Sequence, residues 1–281
     1  MKRSTLLLLG IAVASLTACG CAFTPAPAVL TRKPETMEQA GPRGVKLGLI
    51  VRDVRPEFVQ KGHLCGTKRN TYMMPTSFVF LAHKEPLDQI VALHLRQTLE
   101  RAGYEVVGVW PEPPKELSEQ TLKEPPGDRK EVDEARKQIR GEKAPGDIKE
   151  GGELRVGDEK DDAERKPWTP PAWAKSADAI LDVKIETLNC DCLQGIVFVA
   201  VQGWCKVKAA LCEPNYTERK VVWGKTFSGL GTSGPRPIIT DECFAMAVNM
   251  AYWMVLGGLE KEIRGEAFPS YVKQAAAREQ R

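Results

Sequence analysis

The chain has 281 residues, of which 42% are hydrophobic, 7% aromatic and 27% charged, a balance that excludes collagen-like, coiled-coil and multi-span membrane proteins. The formal charge is +3, from 40 Lys/Arg and 37 Asp/Glu, so the whole-chain charge gives no nucleic-acid signal. Eight cysteines suit an oxidising compartment better than a reducing cytosol.

The N-terminus is organised in three parts. Met1-Lys2-Arg3-Ser4 is basic, residues 5–16 are almost wholly apolar, and small residues lead to Cys19. This is the plan of a secretory signal, too short to serve as a comfortable bilayer span. Leu16-Thr17-Ala18-Cys19 resembles the lipobox of bacterial lipoproteins. That resemblance implies a signal peptide over 1–18 and a mature chain beginning at Cys19, carrying acyl chains that include palmitate. Gly20 in place of an aspartate implies delivery to the outer membrane, with the domain in the periplasm. The membrane is then one partner, reached through the N-terminal lipid.

Residues 19–44 carry Pro25, Pro27, Pro34 and Pro42 and read as a flexible tether. The stretch 44–54 is rich in Val, Leu and Ile and predicts a strand. Residues 86–102 predict a helix, with Pro86 at its start, Gly103 as its C-cap, and Leu87, Ile90, Val91, Leu95, Leu99 and Ala102 on one face. A strand at 104–110 follows. Residues 112–166 then hold 13 Lys/Arg and 17 Asp/Glu with no aromatic residue and no cysteine. Such a segment buries too little apolar surface to offset its ordering entropy, which predicts a disordered charged insertion.

Beyond it, 181–186 alternates apolar and polar as a half-buried strand should. Residues 196–211 predict a partner strand through Leu193-Gln194-Gly195, and 220–228 a further strand. Residues 241–264 predict a helix with Thr240 as N-cap and Asp241 and Glu242 complementing its dipole. Residues 269–281 read as a C-terminal tail. Helices must cover a sheet, so the predicted class is α/β: a two-layer mixed β-sheet with two main helices, one domain formed by 45–111 and 167–268.

The last helix is unusual in being uncharged for 17 residues, Cys243 to Leu259. Asn249 in its middle and Gly257-Gly258 near its end oppose a membrane span and favour burial. Its apolar residues exceed what one sheet face covers, which predicts an interface around Tyr252, Trp253 and Met254, for an envelope protein or a second copy.

The chain shows no nucleophile elbow, P-loop or zinc-protease motif. His94 falls on the apolar side of the first helix, where a structural role is commonest. Asp53 and Arg55 read as a surface or loop-ordering ion pair. Gly229–Gly234 reads as a flexible loop, and Asn70–Pro75 as a loop exposing an aromatic and two thioethers. Six cysteines fall in the domain: Cys65, Cys190, Cys192, Cys205, Cys212 and Cys243. They are candidate disulfides or free thiols whose connectivity the spacing leaves open. Strand parity places Cys205 in the core and Cys190 and Cys192 on the opposite face. A zinc site from His63, Cys65, Cys190 and Cys192 lacks the usual ligand spacing, and no metal or cofactor is predicted.

Asp53-x-Arg55, the Lys68-Arg69-Asn70-x-Tyr72-x-Met74 loop, Leu99-x-x-Ala102-Gly103-Tyr104-x-Val106 and Ala177-Asp178-Ala179-Ile180-Leu181 resemble the small YajG-type envelope lipoproteins. The resemblance implies a lipid-anchored α/β domain and carries no catalytic residue across. The sequence thus leads to a non-enzymatic accessory or adaptor lipoprotein, with a ligand- or cell-wall-glycan-binding module as the alternative.

Overall fold

The computed structural model describes residues 25–32, 44–69, 74–118, 121–126, 171–194, 199–214, 220–236 and 238–279. In chain order the elements are β1 (Ala26–Ala28), β2 (Lys46–Asp53), α1 (Glu57–Lys61), β3 (Leu64–Arg69), β4 (Pro75–Leu81), α2 (Leu87–Arg101), β5 (Glu105–Trp110), a 3-10 turn (Ala172–Ser176), β6 (Ala179–Gln194), β7 (Val199–Cys212), β8 (Val221–Thr232), α3 (Asp241–Ile263) and α4 (Ala267–Glu279).

The strands form two sheets, a five-stranded one in the order β5-β2-β6-β7-β8 and a three-stranded one in the order β1-β4-β3. β2 pairs in parallel with both β5 and β6. Its continuous apolar run fits that central place, because a parallel strand inside an α/β sheet is buried on both faces. Leu47, Leu49 and Val51 face α2 in the main core, while Ile50 faces the other way, with Ile180, Cys212 and Ala174. Gly48 and Gly108 sit opposite each other across β2 and β5. A Cβ on either would lie 2.3 or 2.2 Å from the Trp173 ring, so the two glycines form the trough in which that indole lies.

The small sheet shares the main core through Ala26, Ala28, Cys65, Val79 and Leu81. Its other face holds Leu64, Phe78 and Phe80 against Val59 of α1. α3 lies directly on β7 and β8. A Cβ at Gly203 or Gly231 would stand 2.4 or 2.0 Å from the Ala247 carbonyl, and one at Gly229 2.0 Å from that of Ala251. Alanine on the helix and glycine on the strands together permit this approach.

The mixed α/β class stands as predicted, and the predicted helices at 86–102 and 241–264 are α2 and α3. Gly103 takes the left-handed conformation (φ 87°) that a C-cap needs. Several boundaries move. The tether reading of 19–44 fails at Ala26–Ala28, which pairs in parallel with β4. Pro27 is tolerated there because β1 is an edge strand. The tail reading of 269–281 fails because α4 buries Phe268, Val272 and Ala275, spaced to share one helical face. Gly229–Thr232 is strand rather than loop. At the start of the charged segment, the Leu122 amide donates to the Ala82 carbonyl at 2.7 Å and Leu117 packs on the core. The remainder of the insertion, 127–166, lies outside the described residues.

Among the described residues α3 is the one helix long and apolar enough to cross a membrane. Half of its most apolar window is buried in the domain, as for a core helix. Gly231→Val would drive two methyl groups into the α3 backbone and is expected to destabilise the fold by roughly 3 kcal/mol or more. Gly224→Ala meets nothing nearer than 3.7 Å and should stay within about 0.5 kcal/mol in the same urea titration.

Candidate functional site

The chemically richest region is the seam where the two sheets meet above the end of β2. Arg55 is buried, and its guanidinium grips Asp53 through Nε–Oδ1 at 2.9 Å and Nη2–Oδ2 at 2.7 Å. Nη1 also donates to the Leu64 carbonyl of β3 at 2.8 Å and the Leu188 carbonyl of β6 at 3.3 Å. Asp53 and Arg55 are therefore not a surface pair. Both side chains are nearly sealed from solvent, and the cation satisfies carbonyls that two strands turn inward.

All six domain cysteines are buried thiols, and Cys65, Cys190, Cys192 and Cys205 lie around this seam. Burial pushes Cys65 and Cys205 up to about 12 and Cys192 to about 11, and carries Cys190 well above its usual value. Protonated thiols are poor nucleophiles and poor metal ligands. Among the described residues no group of three or more His, Cys, Asp or Glu could hold a metal ion. Cys190 and Cys192 correct the parity reading, since both lie in the main core on the same side as Val201 and Cys205. A bulge between Ile185 and Thr187 shifts the register of β6 against β7 and turns the later residues over. Cys212 lies on the opposite face with Ile50 and Ile180, and Cys243 opens α3, with the Thr240 hydroxyl 3.5 Å from its sulfur.

A second polar network joins both long helices to the chain just after β1. Asn249 accepts from the Thr31 amide at 2.9 Å and donates to the Val29 carbonyl at 2.7 Å. The Trp253 indole donates to the Thr31 carbonyl at 2.6 Å, and the Leu30 amide meets His83 Nε2 at 2.9 Å. Arg32 reaches Gln97 and Thr98 of α2 at 3.1 and 3.0 Å. Residues 29–32 are thus held by α2, by α3 and by His83 between β4 and α2, a feature that proline-rich composition concealed.

Of the predicted interface residues, Tyr252 is corrected to a core residue. Tyr252 is only 2% exposed and its hydroxyl lies 2.7 Å from His94 Nδ1. Trp253 is half-buried and engaged with Thr31. Residues 29–32 and α2 thus meet α3 at Asn249, Tyr252 and Trp253. What stays open is the flank facing β8, where Met254 is 56% and Met246 42% exposed. Of the loop at Asn70–Pro75, Met74 is exposed, Pro75 begins β4, and 70–73 lie outside the described residues, as does Cys19.

No family model matches the chain, and no curated protein does. Twenty-four chains of solved structures match it. A neuraminyllactose-binding hemagglutinin homologue from Helicobacter pylori is 12% identical with a TM-score of 0.43, covering 86% of this chain and 97% of its own. A Xanthomonas campestris protein of the DUF330 family is 11% identical with a TM-score of 0.43, covering 91% and 99%. Lipoprotein GNA1162 from Neisseria meningitidis is 11% identical with a TM-score of 0.29, covering 78% and 97%. At these values no residue role transfers.

All three histidines are pushed down by burial, and His94, which also faces Arg32 and His83, falls to about 4. Between that value and the unfolded 6.5, the unfolded chain binds a proton that the folded chain refuses. Stability is therefore complete above pH 6.5 and falls as pH drops toward 4, by roughly 3 kcal/mol for His94 alone. The double variant His94→Leu/Tyr252→Phe, which removes both partners together, should flatten that part of the profile in urea titrations across this range.

Proposed function

We propose that this chain is a lipid-anchored protein of the cell envelope. Acylation at Cys19 would hold it to the outer membrane, with the domain facing the periplasm, and it would work as an accessory or adaptor through protein contacts rather than by catalysis. The observation that carries this reading is the ordered series of basic, apolar and small residues ending at Cys19, set only seven residues before the first strand of the domain at Ala26. The reactive groups inside the domain support it too. The buried thiols are held protonated, Arg55 is closed onto Asp53, and His94 is closed onto Tyr252. The exposed thioethers of Met246 and Met254 are the adaptable kind of surface that protein interfaces use.

Intact mass of the membrane-extracted protein is expected to show a chain starting at Cys19 with added acyl mass, and Cys19→Ala should release the protein from membranes. After detergent extraction, Met246→Glu/Met254→Glu should lose a co-purifying envelope protein while keeping its circular-dichroism spectrum. A mature chain without lipid, or a turnover activity lost on mutating a domain residue, would contradict the reading.

A further inference from the structure

Cys65 and Cys190 are drawn together by contacts that keep step along β3 and β6. Arg55 Nη1 donates to the Leu64 carbonyl at 2.8 Å and to the Leu188 carbonyl at 3.3 Å, so one atom ties the two strands just before these cysteines. A Cβ on Gly66 would overlap the Cys190 sulfur and stand 2.6 Å from the Cys190 carbonyl oxygen. Further along, Arg69 pairs with Asp191 at 2.7 Å. Cys65 lies between the first two contacts, and Cys190 takes part in the second.

A bulge in β3 turns Cys65 toward β6. Leu64 pairs with Phe80 of β4 and Gly66 with Val79, so Cys65 is the extra residue of the bulge. Leu64 and Phe80 pack with Val59 of α1, whereas Cys65 and Val79 enter the main core, where Cys190 also lies. Cys65 and the bare face of Gly66 thus share the side on which the Cys190 sulfur sits, and glycine places no side chain between the two sulfurs. The other thiols are worse placed. Cys192 is two residues from Cys190 on one extended strand, a spacing that strains a bridge. Its sulfur accepts a hydrogen bond from the Arg69 backbone instead, roughly 13 Å along β3 from Cys65. Cys205 stands on β7 opposite Leu188, Cys212 on the other face of the sheet, and Cys243 on α3.

We propose that Cys65 and Cys190 form a disulfide that joins β3 to β6 as the domain folds. The step rests on the envelope location proposed above, where disulfide donors are present. One thiolate attacks the disulfide of an envelope thiol–disulfide oxidoreductase, giving a mixed disulfide. The second thiolate attacks that bond, closes the Cys65–Cys190 bridge and displaces the oxidoreductase. Two electrons and the two thiol protons pass to the oxidoreductase, which leaves as its dithiol. The exchange precedes the docking of β3, because in the folded domain both cysteines are sealed, at 1% and 0% exposure. The finished bond fixes the small sheet to the large one beside the Arg55–Asp53 pair.

The test takes the full chain from membranes, unfolds it in urea with N-ethylmaleimide and no reductant, and cuts it after Lys and Arg and before Asp. Residues 62–68 and 185–190 are then separate peptides with one cysteine each. They are expected to be joined, two hydrogens lighter than their sum, with maleimide on Cys192. Maleimide on both Cys65 and Cys190, or a bridge from either to a different cysteine, overturns the proposal. Intact mass on the same sample separates the two claims. Acyl mass with both cysteines labelled sinks the bridge and leaves the envelope reading standing. If acyl mass is absent, the reduced chain is refolded from urea with reduced and oxidised glutathione. The same joined peptides then uphold the pairing while the envelope reading falls, and free Cys65 and Cys190 overturn the bridge as well.

Discussion

Arg55 and Asp53 occupy the point where β2 stops and the chain must hand over from one sheet to the other. The Val54 amide still reaches the Ile185 carbonyl at 3.1 Å, then α1 turns the chain and β3 returns beside the upper half of β6. At that junction the Leu64 and Leu188 carbonyls point into a sealed interior, and the guanidinium supplies their donors. A buried cation without a partner is strongly destabilising, and Asp53 removes that cost by neutralising it in place. Breaking one side of such a pair costs about 3–5 kcal/mol, so the junction tolerates the loss of either partner poorly.

Much follows from this junction. It holds β3, β3 holds β4, and β4 holds β1, the first of the described strands. α3 completes the linkage from the other side. Its close seat on Gly203, Gly229 and Gly231 fixes its rotation, which aims Asn249 and Trp253 at residues 29–31. A pull on the N-terminus is thus resisted by backbone pairing, by side-chain hydrogen bonds and by the buried ion pair in series.

Periodic elements were legible in the sequence, and local irregularities were not. The helical spacing of Leu87, Ile90, Leu95 and Leu99 placed α2 within a residue at each end, because one strong period dominates there. The same reasoning misplaced Cys190 and Cys192, since a bulge leaves no mark in hydrophobicity and reverses every later side chain. Pro27 hid β1, although an edge strand accepts proline. The spacing of Phe268, Val272 and Ala275 was a usable signal for α4, overlooked beside the polar residues between them. Tyr252 could not be separated from a surface residue by sequence, because its partner, His94 of α2, lies 158 residues away in the chain.

The central claim is that residues 28–32 belong to the fold and are not a free tether. Hydrogen exchange in the full chain tests it directly. The Leu30 and Thr31 amides, bonded to His83 and Asn249, should be protected to the same order as the buried amides of α2. Exchange of these amides at the rate of an unstructured peptide, while α2 stays protected, would contradict the account and return the segment to a free tether.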